Sequence, residues 1–248
     1  MNESTITTYS SRSQEWWNGW RAGFPIAIGY LPIAFAFGLL AKSSGVPAML
    51  AVLLSLLVFA GASQFIAINL LAVGTAIGEI ILTTFILNLR HFLMTTSLST
   101  RLEGDLSRWW RSLISFGVTD ENYSVASLSQ HNPLSKYYLL ALQLISFLAW
   151  NIGTWIGLLF GSVVSENVSN SMGIALYAMF IALLVPAMRN SLPITLVALV
   201  AIAIHSFLVW FPVTATLSTG WRIVLCALVA SALGALFFPQ KEEHHDES

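Results

Sequence analysis

Seven long apolar windows divide the chain: Phe24 to Ala41, Ala48 to Val73, Ile77 to Leu98, Tyr138 to Val164, Met172 to Met188, Leu192 to Phe211, and Ile223 to Phe238. Each is about long enough to cross a hydrocarbon core of roughly 30 Å as a helix, the last being the shortest. None alternates in polarity as the strands of a membrane barrel do. The pattern therefore predicts an all-α, polytopic integral membrane protein with about seven transmembrane helices. Ahead of the first window, Trp16, Trp20 and Phe24 recur every four residues, as in a short helix lying at the headgroup level. Met1 to Glu15 is polar, unlike a cleavable signal, and Lys241 to Ser248 reads as a disordered polar tail, with His244 and His245 solvated rather than holding metal. The expected organisation is a polar N-terminus with an interfacial helix (1–23), a single transmembrane domain (24–238) and a tail (239–248).

Composition agrees with a lipid solvent. Of 248 residues, 56% are hydrophobic and 9% charged, with a mean hydropathy of +0.74; a soluble domain is about one-quarter charged. A net charge of -1 offers no basic face for nucleic acid. One cysteine, Cys226, in an apolar run, reads as a small hydrophobe and excludes an intramolecular disulfide or a cysteine metal cluster. The chain has neither H-E-x-x-H nor a Walker-type phosphate loop.

The connection from Thr100 to Tyr137 holds Arg101, Arg108, Arg111 and Lys136, so the positive-inside rule assigns it to the cytoplasm. With seven crossings this puts the N-terminus outside and the C-terminus inside, although Arg12 and Arg21 pull the other way. Within the connection, Ser112 to Gln130 carries Asp120 and Glu121. It is too polar for lipid and suits a re-entrant or protein-buried helix. Leu56-Leu57-Val58-Phe59-Ala60 reads like Leu183-Leu184-Val185-Pro186-Ala187, consistent with a 3+3 inverted repeat of spans one to three and four to six, as in secondary transporters.

Polar residues inside the spans narrow the chemistry. Thr84, Asn88, His91 and Thr95 are four, three and four apart and share one helical stripe, suited either to a hydrated path or to interhelical hydrogen bonds. Arg90 lies well inside a span, where a charge is expensive and needs a partner; Asp120 or Glu121 is the candidate, and the pair is either functional or a structural ion pair. Glu79 shares nearly the same face but sits about 16 Å away along the axis. Gly61, Ala62, Ser63 and Gln64 interrupt the second window. A helix break there exposes backbone N–H groups to a carboxylate, while close helix packing is the alternative. Gly153, Gly157 and Gly161, continued by Gln143, Ser146 and Trp150, form a packing face for a helix of this chain or of another subunit. Pro25 and Pro32 are expected to kink the first helix.

The stretches Phe59 to Phe65, Asn88 to His91 and Phe116 to Glu121, together with Pro32-Ile33-Ala34-Phe35-Ala36-Phe37-Gly38, resemble the AzlC family, the large subunit of bacterial branched-chain amino acid exporters. The agreement covers roughly the first half of the chain; the second half matches mainly in hydropathy. One departure is Asn88, where relatives are expected often to carry Asp; an amide cannot carry a proton. The resemblance implies a secondary transporter in the bacterial cytoplasmic membrane, not an enzyme. It would export Val, Leu, Ile and similar hydrophobic amino acids such as Met, work with a small AzlD-like membrane subunit, and need no cofactor or metal.

A zwitterionic substrate needs a carboxylate site, an ammonium acceptor and an apolar pocket. Backbone N–H groups near Ala62 to Gln64 could supply the first, Asp120 or Glu121 the second, and Phe59 and Phe65 the third. Arg90 could instead hold the carboxylate, with Asp120 as its counter-ion in the empty state, and His91 is a candidate proton carrier, with Asp120 and Glu121. Against this, Thr119 could simply cap a helix whose first turn holds Asp120 and Glu121. Two other classes compete: an intramembrane serine hydrolase using Ser63 and His205, and a passive channel.

Overall fold

The computed structural model describes residues 11–129, 133–161, 174–211, 214 and 216–239. Most of the polar N-terminal stretch, and the tail with His244 and His245, lie outside these. Ten helices are described: α1 (Arg12–Ser43), α2 (Ala48–Leu57), α3 (Gly61–Ala72), α4 (Ile77–Ser99), α5 (Arg108–Phe116), α6 (Asp120–Leu128), α7 (Lys136–Phe160), α8 (Ala175–Asn190), α9 (Leu192–Trp210) and α10 (Thr219–Phe237). No strand occurs among the described residues, and α1, α4, α7, α9 and α10 are long and apolar enough to cross a membrane. The protein is thus an all-α polytopic membrane protein.

The architecture is built on α1 and α7. Ser11 caps α1 by accepting from the Gln14 N–H at 3.2 Å, and the helix continues unbroken through the Trp16–Phe24 segment, Pro25 and Pro32. The aromatic segment and the first apolar window are therefore one helix. Gly19 and Gly23 of α1 lie against Tyr138 and Leu142 of α7, and farther along Gly38 lies against Gly157. The register advances in the same direction on both helices, so they pack in parallel. Backbone approaches backbone so closely that a Cβ at Gly157 would stand 2.2 Å from the Phe35 carbonyl oxygen, and one at Gly38 2.4 Å from that of Thr154. Without a hydrophobic drive between helices in lipid, this small-residue contact supplies the dispersion attraction. The Gly153, Gly157 and Gly161 face accordingly receives α1 of the same chain.

The second apolar window does not cross. Helix α2 runs back along α7 from the end of α1, with the hydroxyls of Ser55 and Thr154 2.8 Å apart. The chain then turns at Val58–Ala60, where Phe59 adopts a φ of 45°, an uncommon conformation for an aromatic residue. Helix α3 returns beside α2: Gln64 Nε2 donates to Ser55 Oγ at 3.1 Å, and Phe65 meets Phe37 edge-on at 5.5 Å. The window is a re-entrant hairpin of two half-helices, too short individually to span. The expected break is present, but it reverses the chain instead of interrupting a crossing.

A second hairpin enters from the opposite end. After α4 returns antiparallel to α1, α5 climbs α7, with Trp110 against Tyr137, then Gln143 Nε2 donating to the Ile114 carbonyl at 3.0 Å, then Phe116 against Phe147. The chain turns at Gly117–Thr119 and descends as α6 toward Arg101, whose guanidinium donates to the carbonyls of Ala126, Ser127 and Ser129. This is the re-entrant element expected for Ser112 to Gln130. The tips meet near the middle of α1, where the rings of Phe59 and Phe116 are 6.3 Å apart.

Each hairpin thus follows a long helix and enters from the end where that helix finishes. Because α1 and α4 are antiparallel, α1–α3 and α4–α6 form an inverted pair. The repeat boundaries differ from those expected: Leu183–Ala187 lies inside the unbroken α8, while Leu56–Ala60 runs from α2 into a tip. The orientation is corrected too. With the second window not crossing, the start of α1 lies at the same end as the 100–137 connection, and Arg12 stacks over Tyr137. Arg12 and Arg21 now agree with Arg101, Arg108, Arg111 and Lys136 instead of opposing them.

Helices α9 and α10 are antiparallel, with Val197 against Gly234 and Cys226 Sγ donating to the Ala201 carbonyl at 3.2 Å. Their dock onto α4 is a helix cap: Glu79 accepts from the Ser218 hydroxyl and from the Trp221 N–H.

Candidate functional site

The tips enclose a cavity of about 20 Å³, enough for a water. Two helix N-termini point to it. In α3 the first helical bond runs from the Gln64 N–H to the Ala60 carbonyl at 3.0 Å, which leaves the N–H groups of Gly61, Ala62 and Ser63 outside the helical ladder. Gly61 and Ala62 line the cavity. The Ser63 hydroxyl donates to the Ala60 carbonyl, and the Gln64 amide accepts from the Ala60 N–H while donating to Ser55. Both side chains therefore fold the hairpin and do not line the cavity.

From α6, Thr119 accepts the Asn122 N–H at 3.3 Å, so the cap expected of it is formed. Capping leaves the carboxylates free for other partners. Asp120 pairs with Arg90, Oδ2 to Nη1 at 2.9 Å. Glu121 accepts from the Tyr30 hydroxyl, which also contacts Thr119 Oγ1 at 2.8 Å. The opposed positive ends of two helix dipoles favour these carboxylates. Asn122 Nδ2 donates to the Gly117 carbonyl and its Oδ1 accepts from Ser146 of α7, so an amide braces this tip much as Gln64 braces the other.

The polar stripe on α4 separates into parts. Thr84 donates into its own helix, to the Ile80 and Ile81 carbonyls. Asn88 Oδ1 is buried without a partner among the described residues. His91 lines the tip cavity, and His91 and Thr95 line a second cavity of about 530 Å³. This larger space lies between the end of α4, the following loop and α5, walled by Phe92, Leu98, Leu102 and Ile114 with Arg111 beside them. His91 is the residue common to both cavities.

Two aromatic residues were not singled out as site residues from the sequence. Tyr30 and Trp150 are each buried and line the tip cavity, with their rings edge to face at 5.3 Å. Tyr30 lies two residues before the Pro32–Gly38 motif and reads as an ordinary lipid-span aromatic, and Trp150, one turn before Gly153, reads as part of the packing face. Phe65 faces Phe37, whereas Phe59 borders the cavity. His205 is exposed on α9, which packs against α8 and α10, while Ser63 sits on α3 against α1 and α4; the serine hydrolase reading gains no support. No cluster of metal-ligating side chains occurs among the described residues.

Residues 25–164 match the family model described as AzlC protein, a stretch that takes in both hairpins and the cavity between them. The chain is 35% identical over 182 residues to an uncharacterized membrane protein of Archaeoglobus fulgidus, covering 73% of this chain and 79% of the relative. It is 31% identical over 194 residues to the inner membrane protein YgaZ of Escherichia coli, covering 76% and 79%. To the branched-chain amino acid transport protein AzlC of Bacillus subtilis it is 25% identical over 191 residues, covering 75% and 74%. No solved structure matches the chain.

Proposed function

Because the chain belongs to the AzlC family, we propose that it is an amino acid transporter, and more specifically a secondary exporter of Val, Leu, Ile and Met across the cytoplasmic membrane. The relative from Bacillus subtilis is named a branched-chain amino acid transport protein, and amino acid transport is the common ground. The observation that carries the reading further is the meeting of two half-helix hairpins from opposite ends at one charged point. Broken helices are tolerated at membrane depth where protein buries them or they line a cavity, and their N-termini suit an anionic group.

On this reading the α3 N-terminus takes the substrate carboxylate. Asp120, on exchanging Arg90 for the substrate ammonium, takes the other charge, and Phe59 borders the side chain. His91, Asp120 and Glu121 are the candidate proton carriers. The basic end is the cytoplasmic one, so the 530 Å³ cavity, in the size range of small-molecule sites, opens toward the substrate's source. The small AzlD-like subunit of the family is the proposed partner.

The test is efflux of preloaded Val, Leu, Ile and Met from proteoliposomes, with and without an imposed pH gradient and with and without the small subunit. Efflux accelerated by the gradient is expected. Gradient-independent flux would indicate a passive channel, and no efflux under any condition would sink the exporter assignment.

A further inference from the structure

Trp150 is 2% exposed, and its Nε1 is without a hydrogen-bond partner among the described residues. A buried indole N–H usually finds an acceptor, and leaving one unpaired is costly. The ring is held on several sides. It lies edge to face with Tyr30, stacks near Phe37 at 6.3 Å, and covers the first turn of α3. A Cβ at Gly61 would stand 2.7 Å from its Cη2. Gly61 therefore does more than permit the break: it lets the indole lie directly on the helix N-terminus. The ring borders the same cavity as the Gly61 and Ala62 backbone and the carboxylates of Asp120 and Glu121.

Resting on the transporter reading above, we propose that Trp150 is a substrate-binding residue whose indole N–H, with the backbone N–H groups of Gly61 and Ala62, forms the carboxylate site for an α-amino acid. Gly61 and Ala62 of the α3 N-terminus line one side of the cavity, and Asp120 and Glu121 of α6 line the other. A zwitterion matches that division, whereas an amine or amino alcohol of the same side chain matches only half of it. The site thus selects for a free carboxylate as well as for an apolar side chain, since buried donors left unpaired penalise a ligand lacking the acceptor.

The experiment measures binding of L-leucine and of leucinol to the purified full-length protein by thermal stabilisation, in wild type, in Trp150→Phe, and with benzothienylalanine incorporated at position 150, which keeps the ring shape and removes the N–H. Wild type is expected to favour leucine over leucinol. Both substitutions should weaken leucine binding roughly tenfold or more, the loss of one hydrogen bond to a charged group, and leave leucinol binding unchanged. Leucine affinity retained in the benzothienyl protein would overturn the proposal. Equal weakening of leucine and leucinol would also overturn it, because it would assign Trp150 to packing alone. If wild type binds neither ligand, the transporter reading itself fails, and this inference fails with it.

Discussion

Arg90 Nη1 lies 2.9 Å from Asp120 Oδ2, joining the middle of α4 to the first turn of the re-entrant helix α6, with the two side chains 37% and 30% exposed. A pair this accessible is open to exchange, and its position between hairpin tips gives the exchange a ligand. Asp120→Asn is expected to abolish transport while the protein still inserts and purifies normally. The double variant Arg90→Gln/Asp120→Asn, which removes both charges, should remain inactive. Recovery of transport in the double variant would make the pair purely structural, and unchanged transport in Asp120→Asn would remove Asp120 from the mechanism.

The hairpin topology has a direct chemical test. In a Cys226→Ser background, single cysteines at Ser44 and Thr75 flank the α2–α3 hairpin and should react with a membrane-impermeant maleimide from the same side. A cysteine at Asp105, beyond the end of α4, should react from the opposite side. Labelling of positions 44 and 75 from opposite sides would restore the second window to a transmembrane crossing.

Helix contact between α1 and α7 leaves no room for a methyl group. Gly157→Ala places a Cβ against backbone on the partner helix, and is expected to cost about 1–3 kcal/mol through overpacking. Gly29, on α1 with nothing within 4 Å of its ideal Cβ, is the internal control: Gly29→Ala should be neutral or stabilising, because Ala is the better helix former. Melting temperatures in one detergent check both, and equal tolerance at the two positions would contradict the packing.

Asn122 is 2% exposed and bridges the tip carbonyl of Gly117 to Ser146. Asn122→Leu takes the side-chain donor from the Gly117 carbonyl and leaves Ser146 with only the Leu142 carbonyl, and should destabilise by roughly 1–3 kcal/mol. Gln64→Leu should do the same to the other hairpin, where the Ala60 N–H loses its acceptor and Ser55 keeps only Thr154. A melting temperature unchanged in either variant would show that the tip does not depend on its amide.

Glu79 reaches from α4 to the start of α10. Glu79→Ala removes a carboxylate from a helix N-terminus, an interaction of up to about 2 kcal/mol when partly buried. Looser docking of the α9–α10 pair, read as faster proteolysis between α9 and α10, is the expected result. No change in proteolysis would leave Glu79 without a role in docking.

Much of the site was legible because charge is scarce. In a chain so apolar, Arg90 needed a counter-charge, and Asp120 and Glu121 were the acidic residues that a re-entrant segment could bring to it. The break at Gly61 was legible for a similar reason, since three small residues and an amide interrupt branched aliphatics. The direction of the chain after that break was not. A run from Ala48 to Val73 has the same hydropathy whether it crosses the bilayer or turns back at the midplane, because lipid and buried protein are equally apolar. The error then propagated to the orientation, where one supposed crossing set Arg12 and Arg21 against the remaining basic residues.

The amino-acid sequence by itself determined the solvent, the helical class, the presence of two polar interruptions and the family, since these depend on composition and local pattern. Only the tertiary structure decided that the interruptions are the tips of opposed hairpins, that the glycine face of α7 receives α1, and that Tyr30 and Trp150 border the site. These are relations between residues distant in sequence. They follow from the parallel packing of α1 on α7, whose close backbone contact brings the first and the last of the helices α1–α7 together and obliges everything between them to fold back.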